Sequence, residues 1–159
     1  MISAPLIVET RAEPAAVIHL TVARSVMMTV FGPAVGELMR ALAEQGIAPR
    51  SAVFAHHFKM SPDIFDFELG VTVADAVQPT GRVKPGELPA AKVARTLYSG
   101  PYEGLPSAWR EFSAWIAAHG LEPADNLWEL YSIGPQSTTD PANWRTELTR
   151  PFRNDIRQR

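Results

Sequence analysis

Cysteine is absent from the 159 residues. That excludes disulfides and thiolate chemistry, and it leaves the redox compartment unspecified. Excess charge is also missing: 15 Lys and Arg against 17 Asp and Glu give a net charge of −2. The electrostatic footprint of a nucleic-acid binder is therefore not there. The one basic cluster, Arg150, Arg153, Arg157 and Arg159, reads as a solvated tail over residues 153–159. No apolar run reaches membrane-spanning length, and the start has neither a basic n-region nor a continuous apolar h-region. The expectation is a cytoplasmic protein with no direct contact to membrane or nucleic acid. There is no G-x-S-x-G, Walker loop or H-E-x-x-H. The adjacent histidines His56 and His57 alternate faces on a strand and cannot both turn to one metal. No metal and no cofactor is expected.

What is present suits one domain with a substantial core. The chain is 46% hydrophobic, with four Trp, seven Phe and three Tyr, a globular composition. Two stretches carry helical spacing. In the first, residues 34–45, Val35, Leu38, Met39 and Leu42 share one face, and Gly46 ends the helix ahead of Pro49. In the second, residues 105–119, Leu105, Ala108, Trp109, Phe112, Trp115 and Ile116 form the stripe, and Gly120 ends it ahead of Pro123. A β-rich run precedes each helix, residues 22–31 before Gly32-Pro33 and residues 92–98 before Gly100-Pro101. Two further strand-like runs follow each, at 52–59 and 65–73, then at 127–133 and 144–150. The Gly-Pro signals lie 68 residues apart and the helix stops 74.

This pattern predicts one domain over residues 1–159, with repeat one at 15–74, a linker at 75–89, repeat two at 90–152 and a tail. Residues 17–20 either add a strand or lead into the first unit. The fold class expected is α+β: two pseudo-symmetric strand–helix–strand–strand repeats, a curved antiparallel sheet, and two helices packed on one side. A ligand cleft is expected at the join of the repeats.

The aromatic surface concentrates in the second repeat, in Tyr98, Tyr102, Trp109, Trp128, Tyr131 and Trp144. Core packing accounts for Trp109, Phe112 and Trp115 on their helix. Acidic residues lie in strand-like segments nearby, Glu129 and Glu147, and Glu68 in the first repeat. Glu147 alternates away from Thr146 and Leu148. It is either solvated on an outer face or a carboxylate among aromatic rings, which would suit a large organic cation. The same carboxylate, its pKa raised, could serve as a general acid or base.

The segment Ser99 to Trp109, S-G-P-Y-E-G-L-P-S-A-W, resembles the signature of GyrI-like effector-binding domains, the ligand-binding parts of AraC-type and MerR-type multidrug regulators. The similarity continues through Gly120 to Pro123, Glu129-Leu130-Tyr131, Asp140-Pro141 and Thr146-Glu147 to Pro151, and F-D-F-E-L-G-V at Phe65 to Val71 is similar to the family's first-repeat strand. The resemblance implies a ligand pocket floored by Glu147, which would meet cationic aromatic ligands. It places Tyr102, Trp128, Glu129 and Tyr131 around the same pocket, and Trp109, Glu68 and His56 complete the candidate ligand-binding set. One departure is Gly32-Pro33-Ala34, read as the first-repeat counterpart of Gly100-Pro101-Tyr102, which lacks the aromatic. The other is Thr72, near the place of the usual proline.

Two functions follow from the resemblance. The first is a stand-alone small-molecule-binding domain for apolar, cationic aromatic ligands, acting in sensing or sequestration, with a separate regulator or a second copy as a possible macromolecular partner. The alternative is a hydrolase of cyclopropane-containing DNA-alkylating natural products, in which Glu147 handles water and Tyr102 or Tyr131 stabilises the developing phenolate.

Overall fold

A computed structural model describes residues 2–135 and 137–153. Arg157 and Arg159 of the expected tail lie outside the described residues. The fold is α+β, with strands β1 (Leu6–Glu9), β2 (Glu13–Ala23), β3 (Phe54–Met60), β4 (Ile64–Thr72), β5 (Val83–Leu88), β6 (Lys92–Ser99), β7 (Leu127–Ile133) and β8 (Arg145–Pro151), and helices α1 (Met27–Glu44) and α2 (Leu105–Ala118). The strand pairings are antiparallel. The chain divides into two compact units. The first-repeat unit spans residues 11–90 and orders its strands β5-β2-β4-β3; the second-repeat unit takes residues 1–10 with 91–159 and orders them β1-β6-β8-β7.

Each helix covers one face of its own unit. Ala34, Leu38, Ala41 and Leu42 of α1 are buried, the stripe that the periodicity predicts, and the helix packs on β2, β4 and β5. Ala108, Phe112 and Ile116 of α2 join Ala94, Tyr98 and Leu148 in the core of the second-repeat unit. The two helices stop by the same device. Gly46 and Gly120 both take φ of 69°, the left-handed conformation that favours glycine. The amides of Ile47 and Leu121 then turn back to the carbonyls of Leu42 and Ile116 at 2.9 and 3.2 Å.

The start of α1 departs from expectation. Residues 22–31 do not form a strand; β2 begins early, at Glu13, takes in residues 17–20 and ends at Ala23. A 3-10 turn, Arg24–Val26, leads straight into α1, so Gly32 and Pro33 sit inside the helix. Pro33 removes the amide that would bond the Thr29 carbonyl. Thr29, Gly32, Pro33 and Gly36 are all exposed, so the break in the hydrogen-bond ladder lies on the solvent side of α1. Pro33→Ala should therefore stabilise the protein, by about 1–3 kcal/mol, read as a rise in denaturation midpoint at unchanged m-value.

The expected linker is also a strand in part. Pro85 and Gly86 argue against strand structure, yet β5 pairs with β2 as an edge, where a missing amide breaks no ladder. Gly86 lies flat on Val17: a Cβ there would come within 2.8 Å of Val17 Cγ2. The corresponding edge strand of the second-repeat unit is β1, paired with β6. A second 3-10 turn, Tyr102–Gly104, precedes α2. The counterpart of Tyr102 is thus Arg24, the first residue of the equivalent turn, and not Ala34.

Candidate functional site

The second-repeat unit gathers a carboxylate and four aromatic side chains. Strand register selects them. Glu129 of β7 stands opposite Leu148 of β8, and directly paired residues share a sheet face. Leu148 faces α2, so Glu129 does too. Trp109, one helical turn before Phe112 on α2, donates its Nε1 proton to Glu129 Oε2 at 2.6 Å. Tyr131, two residues along β7, donates its hydroxyl to Oε1 at 2.6 Å. Tyr102 meets Tyr131 edge-on with ring centres 5.7 Å apart and lies 4.8 Å from Trp144. Trp144 is fixed by its own Nε1 bond to the Thr138 carbonyl at 3.1 Å.

The electrostatics follow from this crowding. Burial pushes the Glu129 carboxyl up from its ordinary value, against the two hydrogen bonds that favour its charged form. The Tyr131 hydroxyl is pushed well up by burial, by the adjacent carboxylate and by the bond it donates. Tyr102 is raised by burial and then by Glu129. Yet Glu129, Tyr131, Tyr102, Trp109 and Trp144 are each only half-buried. Each of these side chains keeps part of its surface accessible to solvent.

The hydroxyls of the two tyrosines are not equivalent. That of Tyr131 is committed to Glu129, whereas that of Tyr102 makes no hydrogen bond among the described residues. Gly134 makes room for it: a Cβ at that position would fall 2.8 Å from the Tyr102 hydroxyl oxygen. Gly134→Ala should push Tyr102 aside and cost about 1–3 kcal/mol while leaving the protein folded, as measured by a thermal melt alongside near-ultraviolet circular dichroism.

The remaining candidates divide away from this cluster. Glu147 pairs with Leu130 and Leu97, one residue out of step with Leu148, so strand alternation turns it to the face away from α2. There its Oε1 lies 3.6 Å from Arg95 Nε. Glu147 is therefore not the carboxylate among the aromatic rings; Glu129 is. Trp128 is 3% exposed and, opposite Thr149, shares the face of Glu147. Glu68 and His56 belong to the first-repeat unit, where they stand opposite each other in β4 and β3. Burial raises the Glu68 carboxyl against the pull of Lys84, 4.0 Å away, and burial lowers His56 to about 4. Trp144 is the member that motif reasoning leaves out of the ligand set. Its signal is an aromatic directly ahead of the closing strand.

Among the described residues no group of three His, Cys, Asp or Glu side chains could hold a metal ion. No helix among them is long and apolar enough to cross a membrane.

The GyrI-like small molecule binding domain profile matches residues 4–153. No curated protein matches the chain at a significant level. Among solved structures, the C-terminal domain of EcmrR superimposes with a TM-score of 0.83 at 21% identity, covering 94% of this chain and 97% of that one. In the complex of EcmrR with DNA, the chain spans 57% of the EcmrR chain. SAV2435 bound to tetraphenylphosphonium gives a TM-score of 0.69 at 12% identity, covering 96% of this chain and 95% of that one. A hydrolase from Listeria innocua gives 0.67 at 13%, covering 94% and 91%. At these identities the likeness to solved structures is one of fold. With the profile spanning nearly its whole length, the chain belongs to the GyrI-like small-molecule-binding domain family.

Proposed function

We propose that the Glu129 cluster receives an apolar, cationic aromatic molecule, and that the protein senses or sequesters it. The observation that carries this reading is the carboxylate itself, held by Trp109 and Tyr131, with Tyr102 packed on Tyr131 and Trp144 beyond it. The two donors leave lone pairs on the carboxylate. Aromatic faces attract a cation through their quadrupoles, and that attraction grows where water is excluded. SAV2435, of the same fold, has been seen with a lipophilic cation of this kind. The test is to titrate tetraphenylphosphonium and planar cationic dyes against neutral aromatics of similar size, and to analyse the mixtures by mass spectrometry. Saturable, cation-selective binding with unchanged ligand supports the receptor; no preference for cations removes it.

A second reading, hydrolysis of a cyclopropane-bearing alkylator, is favoured by the Tyr102 hydroxyl, which has no hydrogen-bond partner among the described residues. In that reaction Glu129 would take a proton from water as the water oxygen bonds to a ring carbon. The breaking carbon–carbon bond would deliver its electrons to a conjugated carbonyl, forming a phenolate that Tyr102 could protonate or hydrogen-bond. Mass spectrometry of the same mixtures would show a product heavier by one water. Glu129, rather than Glu147, is the residue on which that product would depend.

A further inference from the structure

The internal repeat places a second cluster in the first-repeat unit, on the same positions but with other chemistry. Leu20 pairs with Phe67 three residues before the end of β2, as Thr96 pairs with Leu148 three before the end of β6. His57, the β3 partner of Phe67, thus holds the place that Glu129 holds as the β7 partner of Leu148. Arg24 opens the turn before α1 as Tyr102 opens the turn before α2. An imidazole and a guanidinium stand where the other unit has a carboxylate and a phenol.

These side chains form a connected stack. The Arg24 guanidinium carbon lies 4.2 Å from the centre of the Phe65 ring. Phe65 meets His57 edge-on at 5.1 Å, and His57 stacks on Phe67 at 5.0 Å. His57 is 4% exposed, and its Nδ1 has no hydrogen-bond partner among the described residues. Arg24 gives one nitrogen, Nη2, to the Ser61 carbonyl at 2.9 Å. No carboxylate among the described residues comes within ion-pair distance of it. Beside it runs a shallow surface groove lined by Ala23, Arg24, Ser25, Pro62 and Asp63, all of them exposed.

We propose that this groove is a second small-molecule site, selective for small aromatic monoanions such as arene carboxylates and sulfonates. The guanidinium supplies the charge and the planar fork that such head groups fit. Ser25 adds a hydroxyl, and Ala23 and Pro62 offer apolar surface to the ring. Asp63 sets the limit: its carboxylate repels a second negative charge, so dianions bind less well than monoanions. The proposal does not depend on the cation site, because none of its residues belongs to the Glu129 cluster.

Calorimetric titration with naphthalene-2-sulfonate tests it, with and without saturating tetraphenylphosphonium. The expected result is one saturable site, weakened about tenfold or more in Arg24→Gln and about threefold in Arg24→Lys, which keeps the charge but loses the fork. Asp63→Asn should strengthen binding about two- to threefold by removing a rim repulsion. Because Asp63 is exposed, that variant keeps the site testable even where Arg24→Gln fails to fold. Glu129→Gln should leave sulfonate affinity unchanged, and naphthalene-2,6-disulfonate should bind less tightly than the monosulfonate. Absence of saturable binding, unchanged or weaker binding in Asp63→Asn, or loss of binding in Glu129→Gln would overturn the second site.

Discussion

Glu129→Gln should reduce affinity for tetraphenylphosphonium by about ten- to a hundredfold, or about 1.4–2.8 kcal/mol. The substitution keeps the shape and removes the charge. The amide oxygen of the introduced glutamine could still accept from one of Trp109 and Tyr131, so the cluster should stay folded and its affinity for neutral aromatics should barely move. Glu147→Gln is the matched control. Its carboxylate faces Arg95 on the other side of the sheet, and its loss should leave cation binding within about twofold, as for surface charges generally. The reverse outcome, with cation binding lost in Glu147→Gln and kept in Glu129→Gln, would remove Glu129 from the site.

The pH dependence of the same titration carries a sign. Burial raises the Glu129 carboxyl in the folded protein, so the empty site favours the neutral acid more than the unfolded chain does. A cation favours the carboxylate. Affinity for tetraphenylphosphonium should therefore climb as pH rises through the raised value, then level off. The stability of the ligand-free protein runs the other way. The contribution of Glu129 is complete below the ordinary carboxylate range and is lost as pH rises through the raised value. Glu129→Gln should flatten both curves; a flat affinity profile in the unsubstituted protein would show that the carboxylate does not titrate with binding.

The second large effect is acid destabilisation of the first-repeat unit. His56 and His57 are 5% and 4% exposed. Both are lowered from 6.5 to about 4, chiefly by burial, with His56 and Arg24 adding like-charge repulsion at His57. A histidine depressed on folding contributes stability that is complete above pH 6.5 and is lost as pH falls towards 4. A shift of this size corresponds to about 3 kcal/mol for each ring when fully expressed. Thermal melts between about pH 7.5 and about pH 4.5 should show a steep fall in Tm. His57→Phe puts an apolar ring beside Phe65 and Phe67, where nothing has to stay unprotonated, and should remove about half of that slope. A Tm that holds steady down to about pH 4.5 would mean that the two imidazoles are not confined as neutral groups.

The two helices and their stops are legible in the sequence because their signals are local. The buried stripe of α2 recurs at helical spacing, and Gly46 and Gly120 adopt the left-handed conformation that only glycine takes without strain. The four strands after the helices are legible for the same reason. The start of α1 is not, because Gly32-Pro33 carries a strong local breaker signal. A breaker is decided by what its residues face, and these face water. The strand β5 escapes a sequence reading because Pro85 and Gly86 look like linker residues until the edge position that tolerates them is known. β1 escapes it because its partner, β6, lies more than 80 residues away in the chain.

The Glu129 cluster divides along the same line. The sequence by itself determined the aromatic richness of the second repeat, the Gly-Pro-Tyr turn and the two candidate glutamates. The family resemblance pointed to Glu147, and composition alone did not separate it from Glu129, since each sits in a strand with aromatic residues nearby. Only the tertiary structure decided that, through the pairing of Glu129 with Leu148 and of Glu147 with Leu130. Side chains on a strand alternate, so a difference of one residue in register sends one carboxylate under α2 and the other to the opposite face. The course of the chain into α1 likewise withdrew Ala34 as the counterpart of Tyr102 and put Arg24 in its place. Composition and periodicity report what each segment can do; register, a property of two strands at once, decides which side chains meet.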